Sequence, residues 1–117
     1  MKFRFLFVLA SLILALQTSS SLAYDVNARG CPGSNMRSLP SNKHVTVTFV
    51  NRSPKMQAIY WVDFNGHPKH YRNISPGQSY NQSSYQSHVW YVWEGFKNGH
   101  CNYWLSLPPM NQTVTIR

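Results

Sequence analysis

Ser84 and His88, four positions apart, are the side chains in this sequence whose types could act as nucleophile and base. A serine hydroxyl becomes reactive only when a histidine takes its proton and a third group orients that histidine. The carboxylates are Asp25, Asp63 and Glu94, scattered along the chain, and none is placed to orient His88. No glycine-flanked elbow surrounds Ser84 either. On residue types alone the pair reads as an ordinary hydrogen-bonded couple, and no enzyme activity is expected. Three dispersed carboxylates are also too few for a calcium site or a glycosidase pair. Of the five histidines, His67 and His70 lie three apart, which puts them on opposite faces of an extended strand. No structural zinc spacing is present. Neither a metal nor a cofactor is expected.

The start of the chain sets the compartment in which the remaining chemistry operates. Lys2 and Arg4 open a basic region, residues 5–16 are apolar apart from Ser11, and Ser21-Leu22-Ala23 is a small-x-small cleavage site. This is the pattern of a secretory signal peptide over residues 1–23, too short for a membrane span. Removing 23 of 117 residues leaves 94; nine basic side chains then face three acidic ones, a net charge of +6. A secreted, extracellular protein is expected. In an oxidising compartment Cys31 and Cys101, the two cysteines, are expected to form a disulfide. The rival is a reactive thiol, which only His100 would favour. A bridge would close a loop of 70 residues, contributing roughly 4 kcal/mol in the chain-entropy model.

The elements that must carry these side chains read as short strands. Residues 24–42 are poor in apolar side chains and should form an irregular segment tethered by Cys31. Val45, Val47 and Phe49 then alternate with Thr46 and Thr48, the period of a half-buried strand. Residues 57–64 form a second strand, with Ala58, Tyr60, Val62 and Phe64 on one face and Ile59, Trp61 and Asp63 on the other. Asn65-Gly66 suits a type I′ hairpin, and Pro68 confines the return strand to a sheet edge. Ser75-Pro76-Gly77 turns the chain into a polar strand over residues 78–85. Residues 88–93 are the densest apolar run, Asn98-Gly99 suggests another tight turn, and Tyr103, Leu105 and Leu107 lead to a last strand over residues 113–116. No helical period of useful length follows the leader. The fold class is all-β, a single antiparallel β-sandwich over residues 43–117. In isolation Trp61 and Trp90 would be assigned to its core.

Between Val47 and Trp93 the sequence resembles the β domain of the von Hippel-Lindau tumour suppressor. The likeness is carried by Phe49-Val50-Asn51-Arg52-Ser53-Pro54, by the run from Trp61 to Pro68, by Pro76-Gly77, and by Ser84-Tyr85 with His88-Val89-Trp90; Asn111-Gln112-Thr113 fits as well. The resemblance implies a β-sandwich that holds a hydroxyproline-containing segment. It assigns the ligand-binding pocket to Trp61, Tyr71, Ser84, His88 and Trp90, all five of the family's residue types. A neighbouring histidine of the family pocket is Ser83 here. The family protein continues into a helical domain that docks a ubiquitin-ligase adaptor, and no such partner is expected for this chain.

A hydroxyproline ring has apolar CH faces and one hydroxyl that donates and accepts. Trp61, Trp90 and Tyr71 can wall such a ring, and Ser84 with a neutral His88 can satisfy its hydroxyl. The expected partner is a hydroxyproline-containing extracellular protein or peptide, collagen-like or hydroxyproline-rich, lying along the edge strand that bears Pro68 and Tyr71. The alternative is a basic binder of acidic polysaccharide, nucleic acid or anionic membrane surfaces, although the basic residues are spread along the chain rather than clustered. Four sequons mark Asn81, Asn73, Asn51 and Asn111 as glycosylation candidates. Asn81 is the preferred acceptor; Pro54 and Pro76 disfavour the first two sequons in the chain, and Asn51 and Asn111 sit in motifs that suggest structural roles.

Overall fold

The computed structural model describes residues 28–117; the leader and the expected cleavage site lie outside them. Eight strands follow in order: β1 (Ala28–Arg29), β2 (His44–Asn51), β3 (Gln57–Val62), β4 (Pro68–Ile74), β5 (Ser79–Tyr85), β6 (Val89–Glu94), β7 (His100–Ser106) and β8 (Gln112–Ile116). They form a five-stranded sheet, β1-β7-β6-β3-β4, facing a three-stranded sheet, β5-β2-β8. The described residues contain no helix, and the fold is the expected all-β sandwich. One pair departs from an antiparallel arrangement. The chain crosses from β7 in the larger sheet to β8 in the smaller, and β8 runs parallel to β2, with Phe49 opposite Val114.

The core lies between the sheets. Val45, Val47 and Phe49 of β2 meet Ile59, Trp90, Val92, Tyr103 and Leu105 from the larger sheet, all buried, with Val114 and Ile116 beside them. The inner face of β3 is the opposite of the one its residue types suggest. Ile59 and Trp61 point inward with their cross-strand partners Val92 and Trp90, while Tyr60 stacks on Tyr91 outside at 5.0 Å. The outer positions of β3 are apolar too, although only Val62 among them is fully buried. Val62 is buried on that outer side, beside a cavity lined by Cys31, Met36, Tyr91 and Cys101 from the N-terminal segment and the sheet.

The turns also differ in detail. Phe64-Asn65-Gly66 is a three-residue loop in which the Gly66 N–H donates to Asp63 O and the Asp63 N–H to His67 O. Only Gly66 has positive φ, at 86°, so the turn is type I followed by a left-handed glycine rather than type I′. The Asp63 carboxylate explains the choice, because it accepts the N–H groups of Asn65 and His67 at 2.8 and 2.9 Å. Those bonds, His67 foremost, hold its carboxyl below the usual range against the opposing effect of burial. In the β6–β7 loop the left-handed residue is Gly95, not Gly99. Gly99 is required for a different reason: a Cβ there would sit 2.3 Å from Glu94 O and 2.8 Å from Gly95 O.

The segment before β2 is irregular apart from β1, whose Ala28 and Arg29 pair with Trp104 and Tyr103. Cys31 is bonded to Cys101 on β7, which fixes the segment to the sheet and settles the pairing in favour of the disulfide over the free thiol.

Candidate functional site

The five residues assigned to a pocket come from four elements. β3 supplies Trp61, β4 Tyr71, β5 Ser84 and β6 Trp90, while His88 stands just before β6. The outer strand of each sheet, β4 in one and β5 in the other, flanks the group. These two edges approach each other across the sandwich, for the Arg72 guanidinium lies 4.7 Å from the Tyr80 ring.

Tyr71 reaches the group through an irregularity. On β4 the register jumps, so that Ile59 opposes Arg72 and Tyr60 opposes His70, leaving Tyr71 as an extra residue. Such a bulge breaks the alternation of faces and re-aims a side chain. His70 accordingly meets Tyr60 on the outer face. Tyr71 turns inward, its ring 4.9 Å from Trp90 and 6.3 Å from Trp61. It is still 45% exposed and stands at the mouth.

Trp90 takes a different place from an exposed wall. Its ring is 2% exposed and belongs to the core, because β6 is central in its sheet and position 90 faces inward opposite Trp61. What it gives the site is a hydrogen bond, Nε1 to Ser84 Oγ at 2.9 Å. Ser84 is buried on the inner face of β5 opposite Val45. Accepting from the indole fixes the hydroxyl oxygen and leaves the serine proton for another acceptor.

His88 is 8% exposed. Trp61, Phe64 and Tyr85 surround it with ring centroids at 5.5, 5.4 and 5.5 Å. Burial pushes its pKa down, so the imidazole is neutral at neutral pH, with one nitrogen donating and one accepting. Its backbone is clamped: the His88 N–H donates to Tyr85 O and its carbonyl accepts from Leu107 N. The turn that sets this geometry spans Tyr85 to His88 and requires Ser87 at φ 71°, the left-handed conformation that a type II turn demands at its third position. No other non-glycine residue among those described has positive φ. Strain in a short connection between two site residues is characteristic of functional geometry.

Trp61 is partly buried against the core. Its Nε1 is buried and has no hydrogen-bond partner among the described residues. Phe64 was expected beside Tyr60 and Val62. Instead β3 ends at Val62 and the turn folds Phe64 back onto Trp61 and His88, where it forms part of the rim.

Ser38 is the contributor that residue types did not reveal. Its hydroxyl donates to Val62 O at 2.5 Å and accepts from Val89 N at 2.8 Å, and its own N–H donates to Asp63 O. It therefore bridges β3 and β6 where their ladder ends, one residue beyond Trp61 and one beyond His88. A single serine in a polar segment carries no periodic signal. Its burial was the only clue, and that is visible only in three dimensions.

Among the glycosylation candidates, Asn81 is exposed with Oδ1 accepting from Thr48 Oγ1. Asn73 is exposed and bonded to His70, and Asn111 Oδ1 accepts from Thr46 N. Asn51 is fully buried. Its amide donates to Lys55 O and Ile74 O and accepts from the Ser53 N–H and Oγ. A glycan on its Nδ2 would remove one of the two donated bonds and would have no room beside a fully buried side chain.

Fold and side-chain contacts together define a two-sheet β domain with a cluster of aromatic side chains, Ser84 and His88 beside its edge strands. Residues 36–102 match the family model described as the VHL beta domain. The match covers more than half of the chain, and the protein belongs to that family. The matched span includes Ser38.

Proposed function

We propose that this is a secreted, non-enzymatic binding protein that recognises hydroxyproline in an extended peptide. Membership of a family whose β domain binds hydroxyproline-containing peptides supports a protein or peptide partner. The observation that carries the finer reading is the chain of contacts that links His88 to Trp61, Trp61 to Tyr71 and Tyr71 to Trp90, whose Nε1 holds the Ser84 hydroxyl. Tyr71 and Trp61 offer flat apolar surfaces to the ring. The Ser84 proton and the neutral His88 imidazole supply a donor and an acceptor for its hydroxyl. Trp61 Nε1 is a further donor without an acceptor among the described residues. The backbone of β4 is paired on one side only, which leaves an edge for an extended peptide to join. The disulfide favours an oxidising, extracellular setting, where collagen-like or hydroxyproline-rich proteins are the partners of suitable chemistry.

Discrimination against plain proline follows from what that ring would leave unpaired. Buried polar groups without partners cost about 1–3 kcal/mol each, and sites built around a hydroxyl reject its absence by factors of roughly 10⁴. Calorimetric titration of one peptide in hydroxylated and unmodified forms tests the proposal. The hydroxylated form should bind and the unmodified form should not, with Ser84→Ala and His88→Ala each weakening the first. Equal affinities for the two forms would remove the proposal. Binding that salt abolishes while both variants behave normally would point to charge instead.

A further inference from the structure

Also on the outer face of the larger sheet lies a cavity of about 490 Å³, within the range of small-ligand sites. Strand register explains why it exists. Ala58 of β3 has Trp93 of β6 opposite it on one side and Asn73 of β4 on the other. A small side chain in the central strand therefore leaves a groove three strands wide, floored by Ala58, with an indole on one wall and an amide on the other. Tyr60 and His70 close one end, and Lys55, Met56 and Phe96 stand around the rest. Phe96 is 84% exposed, the most exposed large hydrophobic side chain of the described residues.

The polar groups define the ligand. His70 Nε2 is bonded to Asn73 Oδ1 at 2.7 Å, which leaves the Asn73 amide nitrogen as a free donor. Lys55 Nζ lies 3.7 Å from Glu94 Oε2, so its charge already has a counterpart, and no unpaired cation calls for an anionic ligand. The backbone of β3 is hydrogen-bonded to β4 and β6. The floor of the groove thus offers no free main-chain groups, and binding there uses side chains. Aromatic walls facing a cluster of amide, imidazole and ammonium groups suit a compact molecule with a flat CH face and a ring of hydroxyls. We infer that this groove is a binding site for a neutral pyranose of a glycan, separate from the cleft that holds Ser84 and His88.

The test uses the disulfide-bonded protein produced without N-glycans, titrated with neutral gluco-, manno- and galacto-oligosaccharides while tryptophan fluorescence is followed. At least one series should bind, with little change on raising the salt. Phe96→Ala and Asn73→Ala should each weaken it by about tenfold, and Ser84→Ala should leave it intact. Trp93→Ala should weaken it further; because Trp93 packs near Gly99, the exposed Phe96 keeps the test independent of folding. The inference is overturned if no neutral saccharide binds, or if only sulfated saccharides bind and salt removes them. It is equally overturned if Phe96→Ala and Asn73→Ala leave binding unchanged, or if a proline-rich peptide occupies the groove in the sugar's place.

Discussion

His88 and Ser87 set the chemistry of the proposed cleft at the smallest scale. Burial keeps the His88 imidazole below its usual pKa of 6.5, so the folded chain accepts this proton less readily than the unfolded chain. The sign follows directly. This residue's contribution to stability is complete above about pH 6.5 and is lost as the pH falls through the lower folded value. Affinity for a hydroxylated peptide should decline over the same acid window, because protonation removes the imidazole's acceptor. Chemical denaturation and peptide titration at a series of pH values would show both limbs. His88→Gln should flatten the stability limb, and an unchanged acid loss in that variant would falsify the assignment. Ser87 offers a second test. A left-handed L-residue costs roughly 1–2 kcal/mol, which glycine avoids at some cost in chain entropy. Ser87→Gly should therefore stay within about 1 kcal/mol of the parent in a denaturant melt. Ser87→Val, with its β-branch, should lose about 2 kcal/mol and weaken peptide binding by shifting His88.

Two devices at the level of strands orient the cleft: the bulge at Tyr71 and the bridge at Ser38. Ser38→Ala strips partners from Val62 O and Val89 N, two buried backbone groups. At about 1–3 kcal/mol for each unpaired group, a denaturant melt should show a loss of about 2–4 kcal/mol. Hydrogen exchange should speed up most at Val89, beside His88. The strands themselves were legible because alternation, turn residues and Pro68 mark them, and β4 does lie at a sheet edge. Which side of β3 faces the core was not legible, since Tyr60 and Val62 are as apolar as Ile59 and Trp61. The Asn65-Gly66 turn was misassigned because the Asp63 carboxylate, not the dipeptide, selects its conformation. The residue types of the proposed site were legible through the family likeness. Its geometry was not: the burial of Trp90, the inward turn of Tyr71 and the place of Phe64 depend on register and on a bulge that no local pattern announces.

For the molecule as a whole, the Cys31–Cys101 bond joins the irregular segment to the next-to-last strand. Without it the sandwich must retain that segment through β1, Ser38 and a few further contacts, among them the Leu39 N–H donating to Ser87 O. Cys101→Ser with Cys31→Ser should lower stability by about 2–5 kcal/mol, measurable as a fall in thermal midpoint, with the strand signal in circular dichroism preserved below the transition. The hydroxylated peptide should bind the reduced form more weakly, because Ser38 lies on the released side of the bond. The linkage also has a consequence for biosynthesis. Cys31 emerges from the ribosome 70 residues ahead of its partner, so the first part of the domain to be made cannot be fastened until nearly all of it exists. Maturation of the cleft is therefore a closing event rather than an early one, and the nascent chain carries a lone thiol for most of its synthesis.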